Sequence, residues 1–209
     1  MIGGGMIMRH IYTIKTCDDR PLEAVLEENG LFLVSGTGVN EEFLSPDDVP
    51  WKDERGLLRM VRFADEVPVQ DLTNWFWGCE NLEEVVNWPK SVVKMQATCC
   101  DCHRLVKLPA AFPAGLQDLD EAFIRCYALA SAPEIPAGVV YMADTFADCF
   151  SLSGHVVFRG VPTQFAFVFQ NAGKDGDGVV VDYAPGCESV VDALIATKDS
   201  GKVSKGIVK

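Results

Sequence analysis

The residues most suited to chemistry are crowded into Cys99-Cys100-Asp101-Cys102-His103. Thiolates and imidazole are good zinc ligands, so several of them within one short segment would suit a metal in isolation. The spacing speaks against it. Cys102 belongs to a column with Cys79, Cys126 and Cys149, which fall 23, 24 and 23 residues apart, each three residues before a leucine. Cys99 occupies the place that Phe76, Phe123 and Phe146 hold in the other copies. Both side chains are therefore expected to point inward, as small apolar fillers, and no second C-x-x-C pair at a zinc spacing accompanies them. A cysteine nucleophile needs a base and an orienting group beside it. His10, His103 and His155 are the only histidines, and none sits in a known catalytic signature. Cys187, at the start of an expected helix, could have a lowered pKa or simply pack. Gly3-Gly4-Gly5 lacks the strand and helix of a phosphate loop. No catalytic, cofactor or metal site is expected.

The elements behind the cysteines form a repeat. Leu119-Asp-Glu-Ala-Phe123-Ile-Arg-Cys126-Tyr-Ala-Leu129 is matched by Met142-Ala-Asp-Thr-Phe146-Ala-Asp-Cys149-Phe-Ser-Leu152. The same template falls on Met95, Cys99, Cys102 and Leu105, on Leu72, Phe76, Cys79 and Leu82, and in a decayed form on Phe165, Phe169 and Ala172. A period of this length is the mark of leucine-rich repeats, whose units bury their apolar edges only by stacking. The expected fold is a right-handed, β-rich α/β leucine-rich-repeat solenoid of about five rungs of 23 or 24 residues, capped at both ends. Residues 1–56 read as an N-terminal β cap, 57–173 as the solenoid and 174–209 as a strand-helix cap. Within a unit, Phe-x-x-Cys-x-x-Leu reads as a short helical or 3₁₀ turn, and prolines end the extended segments.

Outside the repeat, residues 7–16, Leu31–Gly36 and Val179–Tyr183 read as strands, Asn29-Gly30 as a hairpin turn and Glu188–Thr197 as a helix. Periodicity leaves Leu22 to Leu26 undecided between strand and helical turn. The lysine-rich end, 198–209, reads as a solvated tail. The 209 residues carry a net charge of −12, which disfavours nucleic acid or an anionic membrane as partner. No apolar run is long enough to span a membrane, and no secretory signal is evident at the start. Eight cysteines are too few for a cystine scaffold at this length, and reduced thiols fit a cytosolic or anaerobic setting.

The stretch Asn29-Gly30-Leu31-Phe32-Leu33-Val34-Ser35-Gly36-Thr37-Gly38, then Pro50-Trp51, Val61-Arg62-Phe63-Ala64-Asp65 and Trp75-Phe76-Trp77-Gly78-Cys79-Glu80-Asn81-Leu82 resembles the BspA-like leucine-rich-repeat family. Departures are Cys99 for the usual Phe and Ala172 for the usual Cys. The resemblance implies a non-enzymatic protein-binding role, such as cell-surface attachment, and a surface or secreted location. An alternative is a structural or accessory component of a larger assembly, phage or mobile-element borne. The expected partner is a protein, bound by a monomer or weak oligomer. Off-ladder aromatics are the candidates for the surface: Trp75, Trp77, Tyr127, Tyr141 and Phe150. Trp75 and Trp77 have a competing place, packed on the N-terminal unit beside Trp51.

Overall fold

A computed structural model describes residues 9–209 of the chain. The glycine run at 3–5 and the first residues of the strand expected from 7 onward lie outside the described residues. Strands β1 (His10–Thr13), β2 (Leu22–Leu26) and β3 (Leu31–Gly36) form an antiparallel meander. The Asn29-Gly30 turn joins the last two, and Gly30 adopts φ +85 with Leu57 and Arg59 crowding the place of a Cβ. Leu22 to Leu26 is thus a strand, with Leu22, Ala24 and Leu26 buried on alternate positions. Strands β4 (Met60–Phe63) and β5 (Glu84–Val85) then continue the same sheet in parallel, giving the order β1-β2-β3-β4-β5.

The other regular elements lie at the far end. Strand β6 (Gly154–Phe158), β7 (Val179–Tyr183), helix α1 (Glu188–Ala196) and β8 (Val203–Val208) include a separate three-stranded parallel sheet, β6-β7-β8. The expectation of a β-rich solenoid of about five rungs is therefore corrected. The strands belong to a mixed five-stranded sheet and a distinct three-stranded one, and between them the repeats meet through isolated bridges such as Glu84 with Lys107, Lys94 with Asp118 and Ala111 with Glu134. Proline limits one edge, because Pro109, Pro133 and Pro136 stand within two residues of bridging positions and offer no N–H.

Backbone handedness limits the other edge. Two residues after each of Leu72, Met95, Leu119 and Met142 the chain enters the left-handed region, at Asn74, Ala97, Glu121 and Asp144, and it does so again at Gly78, Asp101, Arg125 and Asp148. Neither a strand nor a helix propagates through such residues, so the expected helical turn is instead a string of separate turns. Each closes with an i to i−3 bond, as in Cys79 N–H to Phe76 O and Leu82 N–H to Cys79 O. The freed N–H groups bond to the next unit: Asn74, Phe76 and Gly78 donate to Gln96, Thr98 and Cys100, and the later units repeat this. Repeat side chains do what their period predicts. Every Leu or Met, Phe or Cys, Cys and Leu of the four full copies is fully buried, and the Phe123, Phe146 and Phe169 rings stack at 5.7 and 5.8 Å.

The lysine-rich end is not a solvated tail. It forms β8 by pairing in parallel with β7, and where the register shifts Asp182, whose side chain is only 1% exposed, accepts the Ile207 N–H at 2.9 Å and contacts His155 Nδ1 at 2.8 Å and Lys209 Nζ at 3.5 Å. Gly206 makes room for that carboxylate, since a Cβ there would meet Asp182 Oδ1 at 2.0 Å.

Candidate functional site

The aromatic side chains singled out in the sequence do not form one surface. Trp75 is fully buried, with Trp51 at 5.3 Å, Phe43 at 5.9 Å and Phe63 at 6.0 Å, and its carbonyl accepts the Trp51 indole N–H at 2.8 Å. It offers nothing to a partner, because the N-terminal sheet needs a large apolar plug where it meets the first repeat. Trp77 is half-buried beneath the Arg55 guanidinium at 5.8 Å, and Arg55 is itself held by the Pro46 carbonyl and by Asp47. Tyr141 is 38% exposed in the bridge column between Asp118 and Gln164.

Tyr127 and Phe150 do come together. His103 stacks on Tyr127 at 4.7 Å, Tyr127 on Phe150 at 4.9 Å, and Lys174 Nζ lies 3.5 Å from the Phe150 ring centre. The three rings of this half-buried column stand immediately after Cys102, Cys126 and Cys149. Stacked rings and a terminal cation stabilise one another.

The cysteine cluster is organised for packing. Cys99 and Cys102 are fully buried, and burial raises both thiol pKa values. Cys102, Cys126 and Cys149 donate S–H to the carbonyls of Phe76, Cys99 and Phe123 in the preceding unit, at 3.1, 3.1 and 3.2 Å. Cys100 is pushed up to about 12 by burial and by the neighbouring Asp101. Asp101 itself is taken by Arg125, whose guanidinium holds the carboxyl below its ordinary range against the opposing effect of burial. Among the described residues no three His, Cys, Asp or Glu side chains are grouped to hold a metal ion. Cys187 is buried at the start of α1, and burial raises its pKa rather than lowering it.

The feature that sequence reading missed is a groove of about 710 Å³ crossing the outer face of the five-stranded sheet. Alternation puts Phe32, Val61 and Val85 inward, so their neighbours Leu31, Met60 and Glu84, in register across β3, β4 and β5, turn outward. Lys107 continues that row through its bridge to Glu84. Leu31, Met60, Val106 and Ala128 give the groove an apolar floor, and Arg59, Glu83, Glu84, Arg104 and Lys107 surround it. Arg59 pairs with Glu83 at 3.2 Å and Lys107 with Glu84 at 2.6 Å. Arg104 has no ion pair among the described residues, so three cations face two carboxylates in a chain of net charge −12. Arg104 and Ala128 directly follow His103 and Tyr127, which brings the aromatic column to the groove's rim. The outward-facing Leu31 and Met60 carried the only sequence signal, apolar residues on the wrong beat of two strands. Val106 completes the patch only when the units stack.

Among the described residues no helix is long and apolar enough to cross a membrane. No known family's sequence profile matches the chain, and no curated protein matches it. Among solved structures it is similar to a leucine-rich repeat protein from Eubacterium ventriosum, at 14% identity and a TM-score of 0.50. The match covers 83% of this chain but 44% of that protein, so the chain spans under half of its length. At that identity the likeness bears on fold alone, and it supports a leucine-rich-repeat type of fold for this chain.

Proposed function

We propose that this chain is a non-enzymatic protein-binding module of the leucine-rich-repeat type, with the groove over β3, β4 and β5 as its binding surface. The observation that carries the reading is the groove itself: an apolar floor with Arg104, which has no ion pair among the described residues, at its edge, where Leu31, Met60 and Glu84 come from the sheet and the rest of the lining from the adjoining turns. Apolar patches rimmed by polar groups are what protein interfaces use, and a surface held by a sheet loses little freedom on binding. The BspA-like sequence features, Asn29 to Gly38 and Pro50-Trp51 ahead of the repeats, support a finer version in which the partner is met at a cell surface.

A photo-reactive amino acid in place of Val106, which is 48% exposed, tests this in producing cells against the same residue in place of Val161, 46% exposed and outside the groove. A discrete protein adduct from position 106 and none from 161 is expected. Equal labelling at both positions, or none at 106, would overturn the reading. Protease treatment of intact cells then sorts a surface partner from an internal one.

A further inference from the structure

The most exposed large apolar side chain among the described residues is Leu44, at 84%. An isolated exposed leucine means little, but this one is presented by a rigid support. On one side the Phe43 carbonyl accepts the Asn74 side-chain N–H at 2.9 Å and the Phe43 ring packs on Trp51 at 5.8 Å. On the other, Ser45 opens a 3₁₀ turn, Pro46–Asp48, with a capping box in which Asp47 N–H donates to Ser45 Oγ and Ser45 N–H to Asp48. A hydrophobic residue just before such a cap ordinarily folds back on its own helix; Leu44 does not. Three residues later Asp47 is 77% exposed on its side chain, with only its Oδ1 near Arg55, at 3.4 Å; Glu41 and Glu42, which pair with Lys15 and Lys94, precede the leucine. The loop therefore displays an apolar knob beside one exposed, partly engaged carboxylate, whereas the groove is an apolar floor with an excess cation.

We propose that the groove of one copy receives the Leu44 loop of a second copy of this chain, with Leu44 on the Leu31, Met60 and Val106 floor and Asp47 facing Arg104. This rests on reading the groove as a protein-binding surface. Knob and groove share no residue. The loop is anchored on Asn74 and Trp51, while the groove is lined by β3, β4 and β5 and by the turns beside them. Such a contact is heterologous, and it propagates head to tail unless the rotation happens to close a ring. Its strength falls as salt rises, because the Asp47 and Arg104 charges meet at an exposed rim.

Sedimentation of the full chain over a wide concentration range tests this, with Leu44→Ser and Val106→Glu as separate variants. Both positions are exposed, so both variants keep the fold. The wild-type mass is expected to climb past twice the 22.9 kDa monomer, and each variant alone to stay monomeric. The two variants mixed should form a dimer that grows no further, because one retains its groove and the other its knob. A wild-type chain that stays monomeric at every concentration, an oligomer that Leu44→Ser leaves intact, or a mixture that does not pair would each overturn the inference. If the wild type is monomeric while position 106 captures a different protein, self-association falls and the binding groove stands; if position 106 captures nothing, both fall.

Discussion

The two ends of the molecule, each built around its own sheet, are held by opposite chemistry. At the N-terminal end, Trp51, Trp75, Phe32, Phe43, Phe63 and Phe76 form a continuous cluster with ring centres 4.8 to 6.4 Å apart. At the C-terminal end, the pairing of β8 with β7 is reinforced by one buried carboxylate with a backbone N–H, an imidazole and an ammonium gathered on it. Aromatic packing has no charge to titrate, and added salt does not screen it. A carboxylate held by charged partners responds to both, so the two ends should fail under different conditions.

The largest effect should come from the aromatic end. Trp51→Ala removes a fully buried indole and is expected to cost about 3–5 kcal/mol, read as a shift of the denaturant midpoint. A milder pair sharpens the cause: Trp51 donates its indole N–H to the Trp75 carbonyl, while the Trp75 N–H has no acceptor among the described residues. Trp51→Phe should therefore destabilise more than Trp75→Phe; the reverse order would mean that shape alone matters there.

Next comes the C-terminal carboxylate. Asp182→Asn should cost about 1.5–3 kcal/mol, the range for a hydrogen-bonded charge, with faster amide exchange in β8 and no change around Trp51. Burial opposes the charge on Asp182, but the Ile207 N–H, His155 and Lys209 outweigh it and hold its pKa below the ordinary value. A carboxyl depressed in the folded state contributes fully above its unfolded pKa of about 3.9, and the contribution is lost as pH falls through the lower folded value. Acid below about pH 4 should thus release β8 first in the wild type, whereas Asp182→Asn should lack that step.

Between the ends, Cys126→Ala deletes one buried sulfur and its bond to the Cys99 carbonyl, for about 1–2 kcal/mol. The smallest effect belongs to the groove rim: Glu83→Ala removes an exposed pair and should leave melting unchanged. A marked loss of stability there would mean that the rim is part of the fold rather than a surface kept for something else.

Much of the interior was legible because burial follows a period. Leu82, Leu105, Leu129 and Leu152 recur at fixed spacing and all lie in the core. Leu31–Gly36 and Val179–Tyr183 read as strands and are strands, because alternation and the flanking Gly30 and Gly178 mark them. The conformation between those positions was not legible. A left-handed Ala97 or Arg125 leaves no trace in composition, so the expected continuous rungs became separate turns and bridges. Distance along the chain hid the rest. Asp182 lies 27 residues from His155 and 25 from Ile207, and the pairing of β8 with β7 that brings them together joins equally distant segments. The groove was hidden for the same reason, since Leu31, Met60 and Val106 belong to three segments that each look ordinary. Trp75 shows the converse: it lies off the ladder in the sequence yet faces inward, and Thr98 and Thr145, at the equivalent place in later copies, are buried too, donating their hydroxyls to the Leu72 and Leu119 carbonyls.

The row of thiols running through the units also makes the molecule its own recorder. Cys79, Cys102, Cys126 and Cys149 are unoxidised, enclosed and poorly ionised, so an alkylating reagent in the surrounding solution finds none of them while the chain is closed. Each loosening of a unit uncovers its own sulfur and leaves a permanent mark at a known address. The order in which those marks accumulate is a written history of where the chain comes apart first, read without adding a single label.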